Sequence, residues 1–451
     1  MQTLDRLRRV IPLLLIIGLL PALSARVEYA EELFPELVPM LQRASENGTE
    51  SQLASLRKEE RMGELDATLA QNRTKVHAYA RVASAYEMRE DIDDRFRGTL
   101  YGNVSLNKPL YQWGNMDRRE AVAEDRVALE GVASAETSAR YYMNIRRAYL
   151  QLLLMREQRV ILEQSISLSE SFVEARRKLV DVGQSSEQEV LEMEATLLEN
   201  REGLAWAEKR IEDLGASLQR LIGPGFSEDQ VSGQPLSVIQ PMTLDQLDAL
   251  IAEVNSSIGL TEGPTTKKFK VLEEIEDKQI EILDKNDWPT LDFVAGIYTD
   301  HLDTAGQDDF FLRVQYYAGL QLNWNIFDGW QTDAWKRSAL ARKRAYSLQA
   351  QAAKSENQRR AETLLAELQL NLKQIEARGK REDILSRRME LVREQAERAL
   401  ITGVERIEGE IDYLEVRQRL MEARVNYLIN LMELGILLGQ DPASVYYQDE
   451  A

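Results

Sequence analysis

The sequence predicts a mixed, mainly α-helical chain with four long β-strands, in which three copies share one transmembrane β-barrel, four strands from each. Two stretches alternate between apolar and polar residues, as strands do. Two longer stretches carry heptad-like apolar spacing with no interrupting proline, as long coiled-coil helices do. Both kinds of stretch occur twice in the same order, which predicts an internal duplication.

The duplication has a register of 216 residues. Four landmarks recur at that distance: Leu106-Asn107 with Leu322-Asn323, Leu110-Tyr111 with Ile326-Phe327, Trp113-Gly114 with Gly329-Trp330, and Gly223 with Gly439. We therefore expect a first repeat at 25–225, a linker at 226–243 and a second repeat at 244–451.

The amino-acid composition argues against several classes of partner and site. Charged residues make up 29% of the 451 residues and aromatic residues 7%, which is typical of long helices. The net charge of −19 argues against nucleic acid as a partner, because phosphate attracts the opposite sign. The chain has no cysteine, so it offers no disulfide and no thiolate metal site.

Residues 1–24 predict a signal peptide. Three arginines precede a short apolar run at 10–20, and Ala22-Leu23-Ser24 has the small residues of a cleavage site. The run is too short to cross a bilayer comfortably as a helix. An uncleaved anchor is the alternative.

Residues at about 75–110 and 290–326 predict two strand hairpins. From Leu312 to Ile326 every second residue is apolar, and the residues between them are mostly polar. Four such two-faced strands are too few to close a useful barrel, and their open edges would pair with other chains. Twelve strands from three chains would close around a wet lumen in lipid. A soluble two-sheet core is the alternative.

Residues at about 115–222 and 330–439 predict two long helical hairpins. In the first hairpin, Gly183 suits the left-handed residue that ends a helix, and Ser185 or Ser186 can cap the next one. In the second, the 216-residue register places Ala399 at that point, and the nearest glycine is Gly403.

The residues at 107–121 and 323–339 resemble the strand-to-helix junction of the TolC-like outer-membrane efflux proteins. Each has an apolar pair, an aromatic residue, glycine and a basic helix start. Residues 179–195 are similar to that family's first hairpin tip, and residues 423–439 resemble its final helix. On this resemblance the strand-to-helix turns are assigned to Pro109, Tyr111, Gly114, Phe327, Asp328 and Gly329.

The resemblance implies a homotrimer whose barrel lies in the lipid of the cell outer membrane and continues into a coiled-coil tunnel across the periplasm. The tunnel would dock on a periplasmic adaptor (membrane fusion) protein and an inner-membrane pump. The chain would be the passive exit duct for small molecules or exported protein in a tripartite efflux or type I secretion system. A secreted or periplasmic coiled-coil scaffold without a pore is the alternative.

The family resemblance also implies two sets of site residues near the hairpin tips. The pore constriction falls on Glu405 and Glu408, with Glu189 and Glu192 as first-repeat counterparts. Each pair is spaced i, i+3, so both carboxylates share a helix face, and a solvated surface is the alternative. Adaptor contact, or an ordinary turn, is expected at Val182, Gly183, Gln184, Ser185, Ala399, Leu400, Ile401 and Thr402.

An enzyme is not expected. The sequence has no nucleophile elbow, no phosphate-binding glycine loop and no cluster with metal-ligand spacing. His77 and His301 are the two histidines, and neither falls in such a cluster. We expect no cofactor and no bound metal.

Overall fold

The computed structural model describes residues 28–89, 92–184, 186–227, 230–231, 234–258, 263–302, 311–397 and 403–441. The predicted signal peptide at 1–24, Ser185 and the predicted second tip at 399–402 lie outside these ranges. Among the described residues, no helix is both long and apolar enough to cross a membrane.

The described elements alternate between helices and strand pairs. In chain order they are α1 (Ala30–Leu33), α2 (Leu37–Asn47), α3 (Thr49–Gln71), β1 (Lys75–Arg89), β2 (Ile92–Tyr111), α4 (Asn115–Asp181), α5 (Glu187–Ile222), α6 (Leu244–Ile258), α7 (Pro264–Asp284), β3 (Thr290–Leu302), β4 (Phe311–Asn323), α8 (Gln331–Glu397) and α9 (Gly403–Leu437).

The four strands form one antiparallel sheet in the order β1-β2-β3-β4. Strands β2 and β3 pair from Gly102 with Thr299 down to Tyr111 with Leu291. One hairpin from each half of the sequence is thereby joined into a continuous surface, with β1 and β4 at its edges.

The register places apolar residues of all four strands on one face. Opposed residues of neighbouring antiparallel strands share a face, and Val76, Leu106, Ala295 and Ala318 form one such row across the sheet. The next row on this face is Ala78, Val104, Ile297 and Tyr316. Rows between these, such as Tyr79, Asn103, Tyr298 and Gln315, belong to the other, polar face.

Strand β4 ends at Asn323, three residues before the predicted end at 326. Asn323 pairs with Thr290, the first residue of β3, so the residues after Asn323 have no partner on that strand. The side chain of Trp324 instead donates from Nε1 to the backbone carbonyl of Asp287 at 2.9 Å. Asp328 then accepts from the amides of Gln331 and Thr332 at 3.1 and 2.7 Å, so the segment between strand and helix is a capped turn.

The two strand-to-helix turns use the same backbone with the residue order reversed. Trp113 and Gly114 have φ of +54° and +77°, and Gly329 and Trp330 each have φ of +69°. A positive φ is unusual for tryptophan. The hydrogen bond from Trp113 Nε1 to the carbonyl of Pro289, at 2.6 Å, stabilises it in the first turn.

Helices α4 and α8 are each 67 residues long and begin 216 positions apart. Both are rich in strong helix formers and contain no proline. Gly183, with φ of +72°, ends α4, and the amide of Gln184 donates to the carbonyl of Leu179 at 2.8 Å. Ser186 caps α5 by accepting from the amide of Gln188 at 3.2 Å.

The chain divides into two compact units, each assembled from separate segments. The sheet unit comprises Ser45–Tyr141 and Glu262–Asn357. The helical unit comprises the described parts of Met1–Ala44, Tyr142–Thr261 and Gln358–Ala451. The two segments of the sheet unit are offset by 216 residues to within one residue.

The core of the helical unit lies around the part of α4 that follows Tyr142. Tyr149 of α4 is fully buried and meets the ring of Phe34 edge-on at 5.7 Å between centroids. The amide of Ala30 lies 3.4 Å from Sδ of Met432 in α9. The two ends of the described chain therefore pack on the same stretch of α4.

Candidate constriction and docking site at the hairpin tips

Three helices of the helical unit converge on one arginine near the first hairpin tip. Arg176 of α4 lies 2.8 Å from the carboxylate of Glu189 on α5 and 3.6 Å from that of Glu408 on α9. One predicted constriction residue from each repeat is thus tied to the same guanidinium. The two carboxylates stay about half exposed, so solvent screens these pairs.

The other two predicted constriction residues lie on the same helices. Glu192 is exposed on α5 and accepts a hydrogen bond of 2.9 Å from Nε2 of Gln188. Glu405 is exposed in the first turn of α9, three residues before Glu408. A carboxylate there interacts favourably with the helix N-terminus.

A small apolar cluster positions Arg176. Phe172 of α4 and Ile407 of α9 are the two buried members of this cluster, and five partly buried side chains pack against them. These five are Leu168, Ala175, Leu179, Met193 and Ile411. The Arg176 guanidinium lies 5.4 Å from the centre of the Phe172 ring, a cation–π contact. The packing of α4, α5 and α9 therefore sets where the arginine can reach.

The first hairpin tip presents exposed residues on a hydrogen-bonded turn. Val182, Gly183 and Gln184 are exposed, and Val182 keeps 66% of its surface. Beside the tip, α4 and α5 border a groove of about 610 Å³ lined by both charged and apolar side chains. Its lining residues are Glu170, Val173, Glu174, Arg177, Lys178, Asp181, Glu194, Leu197 and Leu198.

The predicted strand-to-helix residues fall at the turns of the sheet unit. Pro109 lies at a register shift between β2 and β3, just before Tyr111. Asp328 caps α8, and hydrogen bonds from the side chain and amide of Thr332 lower the pKa of its carboxyl. Phe327 is exposed and meets Trp330 edge-on at 5.8 Å. These residues shape the junction between sheet and helix.

Sequence reasoning did not single out two arginines. Arg176 could have been suspected, because it is an arginine close to a tip rich in glutamate. Arg146 is fully buried and pairs with Glu31 and Asp441, which lie 115 and 295 positions away. No local pattern marks such a distant pairing. Among the described residues, no group of His, Cys, Asp and Glu side chains is arranged to hold a metal ion.

Part of the chain is similar to a known protein family. Residues 271–440 match the family model described as outer membrane efflux protein. No curated protein matches the sequence.

Solved structures match over nearly the whole chain. The outer-membrane channel OprN is 12% identical, with a TM-score of 0.74 over 92% of this chain and 93% of its own. The Campylobacter jejuni CmeC outer membrane channel is 13% identical, with a TM-score of 0.72 over 92% and 89%. The outer membrane protein VceC from Vibrio cholerae is 14% identical, with a TM-score of 0.70 over 91% and 97%.

These likenesses extend the resemblance seen at the junctions and in the last helix. The structural matches cover both repeats, and the family model covers α8, α9 and the strands before them. Residues 271–440 are similar to the outer membrane efflux protein family, and the chain has the fold of the solved outer-membrane channels over nearly its whole length.

Proposed function

We propose that three copies of this chain form the outer-membrane exit duct of a tripartite efflux or type I secretion system, which conducts cargo without transforming it. The observation that carries the proposal is the continuous four-stranded sheet with one apolar and one polar face. On the apolar face Leu320 and Leu322 are 66% and 62% exposed, which suits lipid and not water.

The edges of the sheet call for further copies of the chain. Strands β1 and β4 each have one neighbour among the described strands. In lipid every backbone donor and acceptor has to be paired, so a spanning sheet has to close. Three chains supply twelve strands, which are enough for a lumen lined by the polar face.

The hairpin tips supply the other two parts of the proposal. Glu405, Glu408, Glu189 and Glu192 form the constriction, where threefold symmetry repeats every carboxylate into a ring that favours cations. The exposed residues of the first tip and the groove beside them bind the periplasmic adaptor protein. The adaptor connects the duct to the inner-membrane pump.

Reconstitution tests the duct directly. We expect the purified protein to migrate on gels as a heat-modifiable trimer, to fractionate with the outer membrane and to conduct ions in planar bilayers. A scaffold without a pore would keep the helices and show neither heat-modifiable migration nor conductance. Either absence, in protein whose circular dichroism shows folded helices, would contradict the proposal.

A further inference from the structure

The polar face of the sheet carries one tyrosine from each strand. Tyr79 of β1, Tyr101 of β2, Tyr298 of β3 and Tyr317 of β4 fall on this face and within three consecutive rows. We refer to these four residues as the tyrosine band. Because every strand contributes one member, the band runs across the whole width of the sheet.

The four rings form two close pairs, and the register makes the inner members of the two pairs diagonal neighbours. The centroids of Tyr79 and Tyr101 are 5.8 Å apart, and those of Tyr298 and Tyr317 are 6.2 Å apart. Tyr298 is opposite Asn103 on β2, so Tyr101, two residues from Asn103, is its diagonal neighbour. The band therefore zigzags from β1 to β4 without a gap of more than one row.

A glycine allows one ring of the band to lie along the sheet. A β-carbon at Gly296 would lie 2.7 Å from the Tyr317 hydroxyl, so the Tyr317 side chain reaches across this residue of β3. A ring in that position shows its face to the space in front of the sheet. Tyr317 is 38% exposed, Tyr101 36% and Tyr79 53%.

The band differs from the aromatic residues that anchor barrels in lipid. Such residues point outward at the membrane interfaces, whereas the band lies on the face opposite the apolar rows. Its neighbours in the rows are polar: Asn103, Gln315, Ser105 and His77. In a closed barrel these groups face the lumen, and the band becomes a ring around it.

We propose that the tyrosine band is a binding surface for planar aromatic cargo in transit through the lumen. Exposed phenol faces offer stacking to any flat ring, and the amides of Asn103 and Gln315 offer hydrogen bonds to its substituents. Contacts of this kind are individually weak, so they retain cargo only briefly. The inference rests on the proposed channel, because only a closed barrel makes the polar face a lumen.

Single-channel recording on the full-length protein tests the inference. The probes are ethidium, a planar aromatic cation, and tetrabutylammonium, which has the same charge and no ring. We expect ethidium to cause brief interruptions of the current that tetrabutylammonium does not cause. The double variant Tyr298→Ser/Tyr317→Ser should shorten the mean ethidium dwell time by about two- to fivefold per ring removed.

The chain offers a matched control. Tyr316 is the sequence neighbour of Tyr317 and lies on the apolar face, 76% exposed, so Tyr316→Ser should leave the ethidium dwell time unchanged. The double variant Tyr298→Phe/Tyr317→Phe keeps both rings, so it should retain most of the ethidium dwell time of the wild type.

Three results would overturn the inference while the proposed function stands: ethidium and tetrabutylammonium behave alike, the serine double variant keeps the wild-type dwell time, or Tyr316→Ser shortens it equally. A wild-type protein that does not conduct would overturn the proposed function and the inference with it.

Discussion

Arg146 and Glu31 form a buried ion pair that joins the start of the described chain to the middle of α4. The guanidinium has no exposed surface and donates from Nε to Oε2 of Glu31 at 3.0 Å, and from Nη2 to Oε1. Nη2 also donates to Asp441, just beyond α9, at 2.9 Å. Three distant segments of the helical unit therefore meet at one side chain.

Removal of this arginine should destabilise the protein strongly. Arg146→Met removes the guanidinium that pairs with two buried carboxylates, and breaking a buried pair from one side costs about 3–5 kcal/mol. The measurement is the free energy of unfolding in denaturant, followed by helical circular dichroism. Arg201→Met is the control, because Arg201 is half exposed and pairs with an exposed Glu170, and such pairs contribute little. Equal losses from the two variants would contradict the buried-pair assignment.

The first tip should depend on glycine at position 183. Gly183 has φ of +72° with no atom near enough to hinder a β-carbon, so Gly183→Ala tests the backbone conformation alone. We expect it to destabilise the tip by about 1–2 kcal/mol, and Gly183→Asn by less. Hydrogen exchange of the tip amides measures the local opening.

Gly131, inside α4, supplies a control with the opposite sign. A β-carbon there also meets nothing within 4 Å, and its φ is not positive. Gly131→Ala should therefore stabilise α4 by about 0.5–1 kcal/mol. A Gly183→Ala protein with unchanged tip exchange would show that the turn does not need a left-handed residue.

The strands and helices can be predicted from local sequence patterns, whereas the contacts at the hairpin tip can be predicted from them only in part. The strict alternation of apolar and polar residues at 312–322 indicates a strand. The proline-free stretch at 115–181, with its heptad-like apolar spacing, indicates a helix. Both signals are periodic along the chain, so they can be seen in the sequence alone. The turn at Trp113-Gly114 was expected from its repeat at Gly329-Trp330. That a tryptophan takes a positive φ in both turns was not, since glycine alone favours it.

The sequence does not show which acidic and basic residues pair over long distances along the chain. With 75 acidic and 56 basic residues, nearly every helix face offers a candidate pair, and i, i+3 spacing cannot select among them. The meeting of Glu189 and Glu408 at Arg176 depends on how α4, α5 and α9 pack around Phe172 and Ile407. Tertiary packing therefore determines this contact, and no local sequence pattern predicts tertiary packing.

The cap of α8 should give the protein a specific acid sensitivity. Hydrogen bonds from the Thr332 side chain and amide lower the pKa of Asp328, so its ionised form stabilises the folded state. That contribution is complete above the ordinary aspartate value of about 3.9 and is lost as the pH falls through the lower folded pKa. Asp328→Asn removes the charge and keeps a cap.

Thermal unfolding across pH checks this expectation. Asp328→Asn should unfold at a lower temperature than the wild type at pH 6, and the difference should shrink toward pH 3. Asp333→Asn, in the same first turn, removes a charge without removing the cap. If the two variants show the same pH profile, the effect comes from general charge at the helix start and not from the hydrogen bonds that the Asp328 carboxylate accepts.

The two faces of β4 should tolerate charge unequally. Leu320 opposes Phe293 on the apolar face, and its neighbour Gln321 opposes Asp292 on the polar face. Leu320→Arg should cost roughly 2–4 kcal/mol if the side chain meets lipid near the middle of the bilayer, whereas Gln321→Arg should be mild. Refolding into lipid vesicles at graded denaturant measures both. Equal tolerance would place neither face in lipid.

The acidic residues near the tips should control ion selectivity. If Glu405 and Glu408 line the constriction, the double variant Glu405→Gln/Glu408→Gln removes six charges from a trimer and should weaken cation selectivity. It should also relieve block by divalent cations, which carboxylate rings bind. The reversal potential in a salt gradient and the divalent block, both recorded in planar bilayers, are the measurements.

Arg176 predicts a change in the opposite direction. Because its guanidinium faces Glu189 and Glu408, Arg176→Gln exposes both carboxylates to the lumen and should strengthen cation selectivity. Glu410→Gln is the control, since Glu410 pairs with Arg406 at 3.1 Å and lies two residues from Glu408, on a different helix face. If Glu410→Gln shifts the reversal potential as far as the Glu405→Gln/Glu408→Gln variant, or Arg176→Gln leaves it unchanged, the carboxylates are a solvated surface and the constriction lies elsewhere.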